Sequence, residues 1–357
     1  MISLGFITLY PNQELAYATE LAKLAPEFGI ELFRFTPTSI EPTTEMARGE
    51  KYNHTTNTWE QSMFDVPLYL YDRCFYSNDE VSKKSQPIMN WLKLRPTNVF
   101  LGHGLPNKWE IYNTLRQDKE LSPYLPSTEQ ALSSSAILRT LMKKHQIILK
   151  PEKGSMGKGI IGLFLHQNYV EAVYKDANLL KRDHFATRAD LKKWIDSVIT
   201  SQPYLLQTYL PLHDEGNRPF DIRILLQKDG QGKWIEQGRG IRLGLPDHLI
   251  SNLGGGGETH SFESWTENMS FTQKQLLSDN IHTIISRLPD TLEVHFEPLF
   301  EIGVDLGLTN DGAIWILDTN SKPGRKVILE TSPEKEDALY TTLLQYCLHL
   351  HSKQSAK

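Results

Sequence analysis

The sequence predicts an α/β protein, with an open α/β domain at the N-terminus followed by smaller α+β units. Three observations predict this class. Strand-like apolar runs alternate with helical periodicity over roughly residues 1–105. Two strand-like runs bracket a glycine-rich segment within residues 147–161. Near the C-terminus, two strongly apolar runs flank Asn310-Asp311-Gly312, a strong short-range hairpin signal.

Taken in order, residues 2–10 read as a buried strand. Pro11 then opens a helical pattern that puts Leu15, Ala18, Leu21, Ala22 and Ala25 on one face, and Gly29 ends it. Further strands are expected at residues 30–35, 66–75 and 98–102, while the polar stretch 41–58 reads as a long loop or an irregular hairpin. Leu105-Pro106-Asn107-Lys108 marks a boundary, giving domains at residues 1–105 and 106–351. In the second domain, helices are expected at residues 108–119, 129–144, 189–200 and 272–287. Strands are expected at 147–150, 159–165 and 204–210, and a hairpin from 221–228 and 233–242 turns around Asp229-Gly230. A last helix runs from residue 334 to about 350, and residues 352–357 read as a frayed tail.

Composition narrows the function. With 357 residues, 39% hydrophobic and 23% charged, the chain has an ordinary globular balance and room for two or three packed units. A formal net charge of −5 gives no basic footprint for nucleic acid. Cys74 and Cys347 lie far apart in no metal-binding spacing and read as buried thiols of a reducing, cytoplasmic compartment. No signal peptide is evident, and no apolar run approaches the ~18 residues of a membrane span.

The C-terminal hairpin carries acids. If Asp311-Gly312 form a two-residue loop, Asp305 stands directly opposite Asp318, and Asn320 points the same way. A four-residue loop keeps the two acids on one face, whereas a three-residue loop separates them, because the side-chain period is two. Two carboxylates and a carboxamide among apolar residues suit a hard divalent cation such as Mg²⁺. The alternative is a solvated hairpin edge. The upstream segment IILKPEKGSMGKGII (147–161) reads as strand, glycine loop, strand. It lacks GxxxxGK[ST] and has no helix straight after its glycines, so neither a P-loop nor a dinucleotide fingerprint is present. Such a flap can fold over nucleotide phosphates, with Lys150 at a strand end and Lys153 and Lys158 in the loop; a plain surface hairpin is the alternative. Arg218, Arg223, Arg239 and Arg242 sit on or near two adjacent strands, and Asp221 and Arg223 share a face. Their forks suit phosphate or carboxylate, or else form a surface ion-pair ladder. Asn252 opens a run leading into Gly254, Gly255, Gly256 and Gly257, either an anion-binding backbone or a mobile loop.

The flap and the distal Asp/Asp/Asn hairpin together resemble the ATP-grasp superfamily, and within it the YheC/YheD family of endospore coat-associated proteins. The resemblance covers nearly the whole chain. It is carried by NKWEIYNTL (107–115), LSPYLPST (121–128), ILKPEKGSMGKGI (148–160), LLQTYLPL (205–212), RPFDIRILLQKDG (218–230), NLGGGG (252–257) and the hairpin. It implies an ATP-grasp fold behind the N-terminal domain, with a lid over about residues 126–206. It also implies ATP and Mg²⁺ as cofactors, and a small-molecule or peptide carboxylate and an amine acceptor as partners. Lys108 and Lys150 would touch phosphates. The flap would comprise Lys153, Gly154, Ser155, Met156, Gly157 and Gly159. The Gln207 side chain and the backbone of Thr208 and Leu210 would hold adenine, and Asp214 the ribose. Asp305, Asp318 and Asn320 would hold metal. Arg223 and Arg239 are expected to neutralise the transferring phosphoryl group, with Arg239 on the acceptor side. Most relatives carry Glu where Asp318 stands, so a changed metal geometry is expected. The implied activity is ATP-dependent carboxylate–amine ligation, with a small-molecule kinase or a non-catalytic ATP-binding spore coat protein as alternatives.

Overall fold

The computed structural model describes residues 1–154, 157–176, 179–251 and 256–355. Three sheets organise the chain. The first contains β1 (Ile2–Ile7), β2 (Ile30–Ile40), β3 (Met46–Asn53), β4 (Thr58–Asp65), β5 (Tyr69–Asp72) and β6 (Val99–Phe100). Their order is β4-β3-β2-β1-β5-β6. Strands β2 and β5 run parallel to β1, with α1 (Leu15–Leu24) as the crossover to β2 and α2 (Glu80–Leu94) between β5 and β6. The polar stretch at 41–58 resolves into the antiparallel β3–β4 hairpin. Helix α2 has no counterpart in the sequence reading. Its central Pro87 and sparse apolar residues hide it, yet Asp79 caps its first turn by accepting from the Ser82 N–H at 2.6 Å.

Helix α3 (Lys108–Leu115) leads into the second sheet, which comprises β7 (Thr128–Gln130), β8 (Gln146–Pro151), β9 (Ile161–Leu165), β10 (Val170–Asp176), β11 (Leu179–Phe185) and β12 (Tyr204–Thr208). The order is β11-β10-β9-β8-β12-β7, antiparallel throughout. Helices α4 (Ser134–Lys144) and α5 (Arg188–Ser201) cover one face through Ile137, Leu141, Leu191 and Ile195. The helix expected over 129–144 is therefore β7 plus α4, divided where Ser133 caps the helix.

The third sheet carries β13 (Phe220–Lys228), β14 (Trp234–Leu243), β15 (Glu258–Ser261), β16 (Glu301–Leu308) and β17 (Ile314–Asn320), in the order β15-β14-β13-β16-β17. Short α6 (Phe262–Thr266) precedes α7 (Phe271–His295); α8 (Lys326–Thr331) and α9 (Glu336–Ser355) complete the chain. On one face, Ile222, Ile224, Ile241, Val304 and Leu306 bury against Leu277, Ile281, Ile284 and Leu288 of α7 and Ile111 and Leu115 of α3. Each such side chain contributes roughly 1.5–3 kcal/mol on burial. The other face keeps only a small apolar cluster, Leu225 with Val327, Ile328 and Leu339; its remainder is polar.

Two features tie the first sheet to the third. Helix α9 contributes Leu343, Leu344, Tyr346 and Cys347 to the core formed by Leu4, Phe6, Leu21 and Tyr69. It continues to Ser355, past the point where fraying was expected, and so the last helix of the second sequence segment completes the core of the first. Beside it, Arg73 is fully buried and bridges Glu14 and Glu301, the latter at 2.7 Å, while Arg325 reaches the other Glu301 oxygen at 2.8 Å. Among the described residues no helix is long and apolar enough to cross a membrane.

Candidate active site

The polar face of the third sheet is a row of alternating charge. Two hairpins build it, and both use the same device. In β16–β17 the loop has three residues, Asn310 to Gly312, with Gly312 at φ 84° accepting the left-handed turn that a side chain resists. That loop alone would put Asp305 and Asp318 on opposite faces. A bulge at Leu317 shifts the register by one, and Asp305 pairs directly with Asp318. The acids share a face as the sequence suggested, but through a three-residue loop and a bulge. In β13–β14 the turn spans Asp229 to Lys233, with Gly232 at φ 77°, and a bulge at Gln237 resets the register.

Beyond these bulges the pairs line up across the sheet. Arg242 lies opposite Asp221, Arg223 opposite Asp305, and Asp305 opposite Asp318. Arg223 chelates Asp305 through Nε and Nη2, the second at 3.0 Å. Arg242 donates to both Asp221 oxygens at 2.7 Å and to Asp305 at 2.8 Å. Ser251, just before the glycine run, donates to Asp221. Burial alone would raise the Asp305 carboxyl, but the two guanidiniums outweigh it and hold it below the usual range. Burial wins at Asp221, which has one arginine and the neighbouring Asp305 charge, and its carboxyl is pushed up. Arg242 and Asp221 are thus neighbours of Asp305 that residue pattern alone did not assign to the site.

Two lysines face the far end of this row. Lys108, at the first turn of α3, donates to both oxygens of Asp318. Lys150, in β8 of the second sheet, makes no ion pair within 4 Å among the described residues. Burial pushes its pKa down to about 8; Lys108 adds to the shift, and Asp318 and Asp305 partly oppose it. The site therefore sits between the second and third sheets. Its loop between β8 and β9 carries Lys153, Gly154, Gly157 and Gly159, all three glycines at positive φ. Ser155 and Met156 lie outside the described residues, as do Asn252, Gly254 and Gly255 of the second glycine run.

Other expected residues have these surroundings. Gln207 is buried and donates to Thr128 Oγ1 at 2.9 Å, and the Thr208 N–H donates to the Ser127 carbonyl at 3.1 Å. Leu210 follows the end of β12, where its carbonyl accepts from the Leu212 N–H. Asp214 closes a tight loop, accepting from the N–H groups of Gly216 and Arg218 and from the Arg218 guanidinium at 2.7 Å. Despite partial burial, these donors hold its carboxyl low. A ribose contact would have to share a carboxylate already engaged by its own loop.

Arg239 does not lie on the acceptor side as expected. The Gln237 bulge places it opposite Ile224, on the face that packs against α7, and away from Arg223, Asp305 and Arg242. There it chelates Glu236 and covers the Phe262 ring at 5.2 Å. The arginine that joins Arg223 on the charged face is Arg242.

Oxygen donors from Asp305, Asp318 and Asn320 suit a hard cation such as Mg²⁺. Asp305 already accepts three hydrogen bonds, leaving roughly one of its four acceptor positions for a metal. Among the described residues, no three His, Cys, Asp or Glu side chains converge into a closed metal cage, so the set relies on the Asn320 carboxamide.

A family model described as YheC/D-like ATP-grasp matches residues 97–350. The chain belongs to this family. It is 41% identical to the endospore coat-associated protein YheC of Bacillus subtilis (strain 168), over 100% of this chain and 98% of that protein. Among solved structures, D-alanyl-alanine synthetase A from Vibrio cholerae O1 biovar eltor superposes with a TM-score of 0.55 at 11% identity, covering 97% of both chains. D-cycloserine synthetase DcsG gives 0.53 at 12%, covering 98% of this chain and 99% of that one. These likenesses establish the ATP-grasp fold of this member of the YheC/D-like family.

Proposed function

We propose that this ATP-grasp protein is an ATP- and Mg²⁺-dependent carboxylate–amine ligase that works through an acyl phosphate. The observation that carries the reading is Lys150, a half-buried ammonium that makes no ion pair within 4 Å among the described residues and faces a sheet that already balances its own acids. Such a lysine costs stability unless an anion joins it, and nucleotide phosphates supply that anion. Lys108 lies within reach of the same phosphates, and Gly154, Gly157 and Gly159 of the loop after Lys150 would offer them backbone N–H groups. Thr208 and Leu210 lie where β12 leaves the lid, the place for adenine.

Asp305, Asp318 and Asn320 would hold Mg²⁺, which when bound screens the charge between nucleotide and acceptor. The chain's own residues orient and neutralise. Arg223 and Arg242 flank Asp305 and bring positive charge to the transferring phosphoryl group. The substrate carboxylate oxygen attacks the γ-phosphorus, the bond to the bridging oxygen breaks, and ADP leaves. The amine then attacks the acyl carbon, phosphate departs with the bonding pair, and the amine nitrogen loses a proton. No covalent enzyme nucleophile is needed; positioning carries the rate. The names of the two structural neighbours, both synthetases, support this reading. The name of the B. subtilis relative supports association with the spore coat.

The test is a screen of carboxylates with ATP, Mg²⁺ and hydroxylamine. A substrate carboxylate should yield a hydroxamate together with ADP and phosphate. ADP with a stable phosphoester and no free phosphate would mark a kinase instead. ATP binding without turnover of any carboxylate across the screen would favour a non-catalytic coat protein.

A further inference from the structure

The Lys108–Asp318 pair occupies a position that the metal reading needs. The ammonium donates to both carboxylate oxygens, and the two side chains keep 23% and 26% of their surface exposed. An ammonium bridging both oxygens blocks the face that a divalent cation would use. The surrounding charges point the same way. Lys108, Lys150, Arg223 and Arg242 face Asp221, Asp305 and Asp318, an excess of one positive charge. A divalent cation entering alone would add to that excess. A nucleotide carrying about four negative charges reverses it, and its phosphates compete for the lysine.

We infer that Lys108 is a place-holding counter-ion: it closes Asp318 to a free divalent cation, and nucleotide phosphates release it, so that metal and nucleotide bind as a coupled pair. The inference rests on the nucleotide reading above and adds the regulation of that site. Two further contacts fit it. The Lys108 N–H donates to the Glu152 carbonyl at 3.1 Å, which anchors the residue beside the strand leading into the flap. The Leu105 N–H donates to Ser321 Oγ at 3.0 Å, one residue beyond Asn320, which keeps the approach to α3 against the end of β17. The backbone is thus pinned, while the four-carbon stem of Lys108 gives its ammonium several rotamers to reach from. Transfer of its ammonium from carboxylate to phosphate needs only rotamer changes.

The test uses Mn²⁺ as the probe, with free Mn²⁺ followed by electron paramagnetic resonance. Wild type, Lys108→Gln and Lys108→Arg are titrated with and without a non-hydrolysable ATP analogue, and the Mn²⁺ held by the analogue alone is subtracted. Without nucleotide, Lys108→Gln should bind Mn²⁺ at least about tenfold more tightly than wild type, within the usual range of coupling between sites. Lys108→Arg should stay as weak as wild type, because the cation remains. With the analogue, wild type should gain about tenfold or more, and Lys108→Gln much less. Circular dichroism confirms folding, and Lys108→Met, which keeps the stem's volume, replaces the glutamine variant if that is unstable. Wild type binding Mn²⁺ alone as tightly as the neutral variants, while still binding the analogue, would overturn the place-holder role only. Failure of wild type to bind the analogue at all would instead overturn the nucleotide reading beneath it.

Discussion

Replacing Lys150 by Met should stabilise the protein and weaken its hold on nucleotide at the same time. The side chain is half-buried between the second and third sheets, and desolvation there pushes its pKa from the ordinary 10.5 to about 8. Each unit of difference corresponds to about 1.4 kcal/mol, so keeping the proton at pH 7 costs the native state about 3 kcal/mol. The direction with pH follows from where each state loses its proton. An unfolded lysine keeps its proton to about pH 10.4, whereas the native one keeps it only to about pH 8. Between those values the unfolded state binds more protons, so wild-type stability rises with pH across that window. Below about pH 8 the full penalty applies, and above about pH 10.5 it is gone. Lys150→Met should therefore gain about 1–3 kcal/mol at pH 7, shrinking toward zero near pH 10.5. Urea denaturation at pH 7, 8, 9 and 10 measures this directly. A variant less stable than wild type at pH 7, or a difference that does not change with pH, would refute the reasoning. The same substitution removes a charge-assisted contact to phosphate and should weaken ATP binding at least about tenfold.

Other substitutions separate structure from function. Asp305→Asn leaves buried Arg223 without its carboxylate and should cost about 3–5 kcal/mol in chemical denaturation, whereas Asp318→Asn, whose pair is partly exposed, should cost under about 1 kcal/mol. Both should lose metal-dependent turnover of ATP. Arg242→Ala should reduce hydroxamate formation strongly and Arg239→Ala should leave it near wild type, because only Arg242 shares the face of Asp305. Glu301→Gln removes the shared anion between buried Arg73 and Arg325 and should lower stability by about 3–5 kcal/mol, read as a fall in urea midpoint.

The elements that punctuate themselves were legible in the sequence. The flap's glycines interrupt two apolar runs, and β8 and β9 pair across them at Leu149 and Ile161. The Asn310-Asp311-Gly312 signal located the second acid-bearing hairpin, and it put Asp305 opposite Asp318 although the loop has three residues. Two register steps cancelled there. At Arg239 no such cancellation helped: the bulge at Gln237 leaves no mark in residue type, and it turns Arg239 to the other face while Arg242 joins the charged row. Helix α2 was hidden by Pro87 and by its polar surface. The β10–β11 pair was hidden because its outward positions are Lys, Arg, Asp and His, which read as loop. The Glu14–Arg73–Glu301–Arg325 cluster unites residues from both ends of the chain, and only tertiary packing brings them together.

On the proposed function, Lys150 and the Asp305–Asp318 row form one site for a metal-bound nucleotide. Calorimetric titration of ATP with Mg²⁺ tests it most directly, using wild type, Lys150→Ala, Asp318→Asn and Lys181→Ala, the last an exposed lysine of β11. Saturable binding at one site per chain is expected, with a loss of about tenfold or more in affinity for the first two variants and wild-type binding by Lys181→Ala. Equal affinity in all four proteins, or no saturable binding by wild type, would contradict it.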